Sequence, residues 1–229
     1  MQLMGRWAHR LTTVKQLPKH KDFLAVDTET RNEDGKVEAG RHTLYFGVYT
    51  GRIDGKRIPT QRFESTAEWW DYVERYCKDA LTVYAHNLNF DGAILRVADL
   101  LTRGWECTHY INDGNAPVII TFKRGRKRIS LVDSRNYFRS TLESLGEGLG
   151  IPKLDMPADN EEWTEYANRD VEIVYQAIIS LERFIKELDL EGLPFTIGGV
   201  AFAYWRNNLT VPVHIHSCLL YTSPSPRDS

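Results

Sequence analysis

The chain has 229 residues, of which 42% are hydrophobic and 26% are charged, and its formal net charge is −2. This is the composition of a globular domain with a substantial core; it shows neither the positive charge of a strongly cationic nucleic-acid binder nor an apolar run of about 18 residues that could span a membrane. The three cysteines, Cys77, Cys107 and Cys218, have no paired spacing, which argues against a disulfide framework or a cysteine zinc site and is typical of a reducing compartment.

The predicted elements begin after an N-terminal arm, residues 1–21, which has no acidic residue and no apolar block of the length found in secretory signals. An Ile-Asp-Gly turn inside residues 52–56 favours a hairpin, and Ser65 followed by Glu68 is typical of a helix start. In chain order, the apolar patterns predict strands at 22–28, 42–50 and 57–63, a helix at 66–78, a strand at 81–85, a helix at 90–101, two strands within 118–134, and helices at 141–149 and 161–188.

This order of elements, with strands first and then helices alternating with strands, indicates an α/β fold. We expect a mixed sheet that is flanked by helices. The turn between the two strands of residues 118–134 is the basic run KRGRKR, for which a solvated hairpin tip is a simpler interpretation than a track for phosphates.

The first chemical signal is FLAVDTET, residues 23–30, in which an apolar strand ends in two acids. Side chains alternate between the faces of a strand, so Asp27 and Glu29 share one face and their like charges repel each other. Acids at such a position can simply cap the turn or helix that follows. The sharper interpretation is that a cation lies between the two carboxylates.

Two later segments carry acids that could join this pair. In YAHNLNFDG, residues 84–92, Asp91 lies at the start of a helix, where the helix dipole alone also stabilises an acid. In YANRD, residues 166–170, Tyr166 and Asp170 lie four positions apart and share a helix face, a spacing that ordinary surface residues also show.

Taken together, four carboxylates and a tyrosine suit the hydrolysis of a phosphodiester with two divalent ions, which hold the attacking and leaving oxygens. Asp27 would bridge both ions. Glu29 and Asp170 would complete one ion site, and Asp91 would hold the other ion. Tyr166 would orient the attacking water through a hydrogen bond.

The three motifs DTET, HNLNFDG and YANRD resemble, in this order, the Exo I, Exo II and Exo III motifs of DEDDy 3′–5′ exonucleases. The form HNLNFDG is similar to family B DNA polymerases, specifically the protein-primed branch of phages and linear plasmids, and so is the segment LVDSRNYFRSTLESLGEGLGIPK. The resemblance covers roughly residues 22–217 and implies an RNase H-like 3′–5′ exonuclease fold. Tyrosine rather than histidine in the third motif implies the Tyr subgroup.

This resemblance implies a role for each matching position. The implied ligands of two Mg²⁺ or Mn²⁺ ions are Asp27, Glu29, Asp91 and Asp170, and the implied water-orienting residue is Tyr166. The implied contacts of a single-stranded DNA 3′ end are Thr30, Asn87, Phe90, Ser134 and, through the scissile phosphate, Lys153. Phe90 could instead be a core residue, because a phenylalanine that opens an amphipathic helix packs inward as readily as it stacks on a base.

The resemblance also implies a domain organisation. Residues 22–190 would form the exonuclease domain, and residues 191–217 would be the truncated start of a polymerase domain, because TIGGVAFAYWRNN is similar to the helix that opens it. The polymerase motifs DxxSLYP and YxDTD are absent from the sequence, so we expect a fragment that edits DNA without synthesising it. The last segment, residues 218–229 or CLLYTSPSPRDS, resembles a sequencing adapter read through in frame, and we expect it to be one. The alternative is a natural linker rich in serine and proline, which the composition would also permit.

The expected partners are single-stranded DNA 3′ ends, primer-template DNA and, in a protein-primed system, a terminal protein. We expect a monomer that does not bind membranes and that works in the cytoplasm, or in the mitochondrion if it comes from a eukaryotic linear plasmid. Two alternatives stay open: a free-standing DEDD exonuclease acting on DNA or RNA, and a non-catalytic domain that binds DNA or a terminal protein.

Overall fold

A computed structural model describes residues 9–11, 22–32, 42–112, 117–157, 162–190, 192–209 and 213–215. The strands are β1 (His9–Leu11), β2 (Phe23–Asn32), β3 (His42–Ile53), β4 (Lys56–Phe63), β5 (Ala80–Ala85), β6 (Glu106–Ile111), β7 (Ile119–Arg124), β8 (Lys127–Asp133) and β9 (Val213–Ile215). The helices are α1 (Thr66–Tyr76), α2 (Leu88–Ile94), α3 (Asp99–Thr102), α4 (Leu142–Gly148), α5 (Trp163–Glu187) and α6 (Ile197–Asn207), with a short 3-10 helix at Ser134–Asn136.

Seven of the described strands form one mixed sheet in the order β4-β3-β2-β5-β8-β7-β6. The three central strands, β2, β5 and β8, run parallel, and the outer strands are antiparallel to their neighbours. Parallel neighbours need crossover connections, and these carry α1 between β2 and β5 and α2 and α3 between β5 and β8. The carboxyl ends of the central strands therefore lie together at one end of the sheet, where ligands bind in open α/β sheets.

Helices cover both faces of this sheet because its strands direct apolar side chains alternately to one face and to the other. Leu24 of β2 packs with Trp69 of α1 on one face, whereas its neighbour Phe23 packs with Tyr175 of α5 on the other. The rings of Phe23 and Tyr175 are stacked, with centroids 5.5 Å apart. Burial of apolar surface at about 25 cal/mol per Å² stabilises both layers. The predicted mixed sheet flanked by helices is confirmed.

The long helix α5 is held on β3 by a bidentate ion pair. Nη1 and Nη2 of Arg52 donate to Oε2 and Oε1 of Glu182 at 2.6 and 2.7 Å. A planar guanidinium matches a carboxylate in this way, so both charges are satisfied although the side chains are largely buried. The pair helps to set the position of α5 on the sheet, and with it the position of Tyr166 and Asp170.

Local turn and capping signals give the predicted boundaries. The predicted hairpin is confirmed: Asp54 and Gly55 connect β3 and β4 with positive φ values of 51° and 76°. The start of α1 is confirmed too, since Oγ of Ser65 accepts a hydrogen bond from the backbone N–H of Glu68 at 3.2 Å. The predicted helices at 141–149 and 161–188 form as α4 and α5, and the differences of one or two residues at their ends are normal.

Two features differ from the predictions. The prediction of one helix at 90–101 is wrong, because the chain forms α2 and α3 with a break at Arg96, whose φ of 51° lies in the left-handed region. Strand β6 has no counterpart among the predicted elements. Its side chains are all exposed, so it lacks the apolar alternation that marks a half-buried strand.

The predicted segment boundaries stay predictions. Strand β1, from the N-terminal arm, pairs antiparallel with β9, from the segment 191–217, in a separate two-stranded sheet. The segment 218–229, predicted to derive from an adapter, lies outside the described residues. Among the helices in the described ranges, none has the length and apolar character to cross a membrane.

Candidate functional site

The predicted site residues gather where the parallel strands β2, β5 and β8 end. The pairing of β2 with β5 stops at Ala25 and Tyr84, so Asp27 and Glu29 extend beyond the neighbouring strand. The pairing of β2 with β3 shifts its register between Glu29 and Thr30, and a bulge of this kind re-aims the side chains around it. Helices α2 and α5 both pack against β2. The strand thus presents its acids to residues of two helices.

Asp27 and Glu29 both interact with the charge of Asp170, as expected for residues on one strand face. Burial raises the pKa of Asp27 well above its ordinary value, and the carboxylates of Asp91 and Asp170 raise it further. Burial, followed by the charge of Asp27, raises the pKa of Glu29 to about 8. The cluster therefore concentrates more negative charge than its surroundings can stabilise, which a cation would relieve.

Asp91 is held by a residue that the sequence patterns did not single out. It is 3% exposed, and its Oδ1 accepts a hydrogen bond from Oγ1 of Thr28 at 2.7 Å. Burial raises the pKa of Asp91 to about 7, although the Thr28 hydrogen bond lowers it. Thr28 lies within the DTET motif, but the alternation of side chains puts it on the strand face opposite to Asp27 and Glu29, so no sequence pattern paired it with Asp91.

Tyr166 and Asp170 lie one turn apart on α5, and Lys153 reaches them from the segment after α4. Nζ of Lys153 donates to Oδ2 of Asp170 at 2.5 Å and lies 4.6 Å from the centre of the Tyr166 ring. Burial raises the pKa of Asp170, against the lowering effect of Lys153. The second oxygen of Asp170, Oδ1, is buried and has no hydrogen-bond partner in the part of the chain that the structure describes. Asp170 can therefore accept a further partner.

The four acids are of the chemical type that binds divalent ions, but their side chains are not arranged as a complete metal-binding site. Within the described ranges, no three His, Cys, Asp or Glu side chains are arranged so that they could hold one metal ion. The carboxylates are nonetheless close enough for their charges to interact, and Asp170 has an unpartnered buried oxygen. Carboxylate oxygens are the ligands that Mg²⁺ and Mn²⁺ prefer. The predicted two ions thus agree with the ligand types, while the geometry does not confirm them.

Thr30 and Phe90 lie at the rim of the acid cluster and are connected by His42. Nδ1 of His42 lies 3.3 Å from Oγ1 of Thr30, and its ring meets Phe90 edge-on with centroids 5.7 Å apart. Phe90 is 38% exposed. It is therefore not a core residue, and its position favours the alternative in which it stacks on a base.

Asn87 and Ser134 follow the ends of β5 and β8. Asn87 is exposed, as a residue that contacts a DNA strand must be. Ser134 is fully buried, and its Oγ lies 2.8 Å from Nδ1 of His86. Its side chain faces the protein interior, so its position does not support the prediction that it contacts DNA directly.

Known proteins match this chain in both sequence and structure. The DNA polymerase of Streptococcus phage Cp-1 is 23% identical over 72% of the chain and 32% of that polymerase. Phi29 DNA polymerase in complex with primer-template DNA and incoming nucleotides matches with a TM-score of 0.61 and 17% identity, over 83% of the chain and 35% of that polymerase. Phi29 DNA polymerase in complex with single-stranded DNA matches with a TM-score of 0.56 and 16% identity, over 80% and 34% of the two chains.

The chain resembles the N-terminal region of protein-primed family B DNA polymerases. The resemblance expected from the motifs is thereby confirmed, and so is the RNase H-like α/β fold that it implied. No family model matches the chain. It spans about a third of the length of the protein-primed polymerases that it matches. At these identities the likeness establishes the fold, and the roles of individual residues stay predictions.

Proposed function

We propose that this chain carries the 3′–5′ exonuclease of a protein-primed family B DNA polymerase, which removes nucleotides from the 3′ end of single-stranded DNA with two divalent ions. The observation that carries the proposal is the convergence of Asp27, Asp91 and Asp170, which come from a strand and two helices and interact through their charges. Buried acids in a structural role are normally paired with cations. Among the described residues, this cluster has one ion pair, between Asp170 and Lys153.

The side chains of this chain would divide the work between binding and chemistry. The hydroxyl group of Tyr166 would hold the attacking water by a hydrogen bond. The ammonium group of Lys153, which contacts Asp170 in the cluster, would lie against the scissile phosphate and offset its charge. At the rim, Asn87 would donate hydrogen bonds to a phosphate or a base edge, and Phe90 would stack on an unpaired base.

The carboxylates would act together as the metal ligands. Asp27, Glu29, Asp91 and Asp170 would hold two Mg²⁺ or Mn²⁺ ions, which when bound supply Lewis acidity toward the attacking and leaving oxygens. All four carboxyl groups must be ionised for this role. Their raised pKa values reflect burial of negative charge that has no full complement of cations around it.

The whole parent protein is part of the same proposal. Because the chain spans about a third of its relatives, DNA synthesis, binding of primer-template DNA and priming from a terminal protein are proposed for the parent polymerase. The solved Phi29 polymerase complexes with primer-template DNA and with single-stranded DNA support the two DNA partners.

The test uses the 229-residue chain and a single-stranded DNA oligonucleotide labelled at its 5′ end. With Mg²⁺ or Mn²⁺ we expect stepwise shortening from the 3′ end, and EDTA should stop it. The double variant Asp27→Ala/Glu29→Ala should lower the rate by about 1,000-fold, the scale of losing an essential electrostatic group. The matched control Asp54→Ala/Asp71→Ala removes two exposed acids outside the cluster and should keep full activity.

Three outcomes would contradict the proposal. Full activity in the Asp27→Ala/Glu29→Ala variant would show that hydrolysis occurs elsewhere. Faster hydrolysis of RNA than of DNA would favour the free-standing exonuclease. Binding of the oligonucleotide without hydrolysis, with either ion present, would favour the non-catalytic DNA-binding domain.

A further inference from the structure

We infer that Arg135 is a positioning residue, which fixes the side of the Asn87 amide that faces the DNA strand; this role rests on the proposed exonuclease function. Arg135 lies in the 3-10 helix after β8, and Asn87 lies between β5 and α2. The two residues are 48 positions apart in the chain. They meet because β5 and β8 are parallel neighbours, paired up to Ala85 and Asp133.

The contact between the two side chains sets the orientation of the Asn87 amide. Nη2 of Arg135 donates to Oδ1 of Asn87 at 2.7 Å. A guanidinium group has donors and no acceptor, so it can face only the carbonyl side of an amide. The amide nitrogen of Asn87 is thereby turned away from Arg135. Its two N–H donors are then available to a phosphate oxygen or a base edge of the strand.

Arg135 is itself held by the carboxylate of Asp133, which is fully buried. Nη2 of Arg135 donates to Oδ2 of Asp133 at 2.9 Å, and Nε contacts both carboxylate oxygens at 3.2 Å. The same carboxylate accepts hydrogen bonds from the backbone N–H groups of Leu88 at 2.9 Å and Asn87 at 3.4 Å. One buried acid thus joins the guanidinium to the backbone of the turn that carries Asn87.

The backbone of Asn87 adopts a conformation that needs this support. Its φ of 99° and ψ of 54° lie in the left-handed region, which residues other than glycine rarely adopt. Such residues persist where the surrounding contacts over-determine them, and they cluster at binding sites. The Asn87 amide is therefore held in one orientation before DNA arrives, which lowers the cost of ordering it on binding.

The experiment compares Arg135→Gln with the wild-type chain in steady-state hydrolysis of a single-stranded oligonucleotide with Mg²⁺. A positioning role predicts that KM rises about tenfold, the scale of one oriented hydrogen bond, while kcat changes by less than about twofold. Arg103→Gln is the matched control, because Arg103 also pairs with a carboxylate, that of Asp71 at 2.7 Å, outside the acid cluster. Its KM should equal that of the wild type.

A double variant shows whether Arg135 acts through Asn87. Asn87→Ala alone should raise KM, and adding Arg135→Gln should raise it no further, because the group that Arg135 orients is already gone. A further tenfold rise in the double variant would overturn the inference, and so would an unchanged KM in Arg135→Gln. A wild-type chain without nuclease activity would overturn the proposed function instead, so the two failures differ.

A second variant covers the case in which Arg135→Gln fails to fold. In Asn87→Asp the carboxylate still accepts the hydrogen bond from Arg135, so we expect the Tm to stay that of the wild type. The new side chain has no donor to offer the strand. KM should therefore rise at least as much as in Asn87→Ala, and an unchanged KM would overturn the inference.

Discussion

Nζ of Lys153 lies 2.5 Å from Oδ2 of Asp170 and 4.6 Å from the centre of the Tyr166 ring. The ammonium group of Lys153 thus contacts both Tyr166 and Asp170 of the third motif, although Lys153 precedes Asp170 by 17 positions in the chain. The ammonium group is located where the carboxylates concentrate negative charge, and it offsets part of that charge. Lys153 therefore lies among the proposed catalytic groups, apart from the rim residues that would bind the strand.

Lys153→Met should lower kcat for oligonucleotide hydrolysis by about 100-fold, because the scissile phosphate loses a charged partner. The measurement is single-turnover hydrolysis at saturating DNA. Lys78→Met is the control, since Lys78 forms an ion pair of the same 2.5 Å length with Asp54 but both side chains are mostly exposed. An equal loss in both variants would indicate a general charge effect and contradict this role for Lys153.

Thr28→Val should weaken the site through Asp91. Valine keeps the shape of threonine but cannot donate the 2.7 Å hydrogen bond, so the pKa of Asp91 should rise further and its ionised form become rarer. We expect the Mg²⁺ concentration for half-maximal hydrolysis to rise by about tenfold, the scale of one lost hydrogen bond to a charged group. Thr28→Ser, which keeps the hydroxyl group, should behave like the wild type; a loss equal to that of valine would rule out the hydrogen bond as the cause.

The raised pKa of Glu29 predicts that the metal-free protein loses stability as the pH rises. Its carboxyl group has a pKa of about 8 in the folded state against an ordinary value of 4.5, so the folded state binds the proton more tightly than the unfolded state. The free energy of unfolding therefore falls as the pH rises from about 4.5 to about 8. In EDTA, Glu29→Gln should raise the Tm by roughly 2–6 °C at about pH 8, and by less at about pH 5.

The control for this prediction is Glu147→Gln, which neutralises an exposed acid of α4. We expect its Tm to differ from that of the wild type by the same small amount at both pH values. A Tm gain for Glu29→Gln that does not grow with pH would contradict the prediction. Thermal unfolding followed by circular dichroism supplies the measurement.

Gly47→Ala should destabilise the strand pair that carries the acids, because Gly47 of β3 lies opposite Thr28 of β2. A Cβ at this position would lie 2.0 Å from Cζ of Phe63, whose ring is fully buried at the end of β4 and stacks on Trp69 of α1. Overpacking of this kind costs about 1–3 kcal/mol of unfolding free energy, which urea titration measures. Gly148→Ala, where no atom lies within 4 Å of the added Cβ, should be neutral or slightly stabilising. Equal stability of the two variants would show that β3 can move away from Phe63.

Sequence patterns predicted those parts of the fold that depend on neighbouring residues. The alternation in β2 placed Asp27 and Glu29 together, and the cap at Ser65 located α1, because both follow from local backbone geometry. The break between α2 and α3 at Arg96 could not be predicted from the sequence, because no local pattern requires a positive φ at an arginine. Strand β6 could not be predicted either, because an exposed edge strand has no apolar face to mark it.

The sequence by itself determined which chemical groups the site has and which of them share a strand or helix face. The tertiary structure alone decided that Thr28 donates to Asp91, that Lys153 pairs with Asp170, and that Ser134 is buried beside His86. Periodicity fixes directions within one element, whereas these contacts depend on strand order and on how α2 and α5 pack on the sheet. That packing is a property of the whole core, so no single segment of the chain contains it.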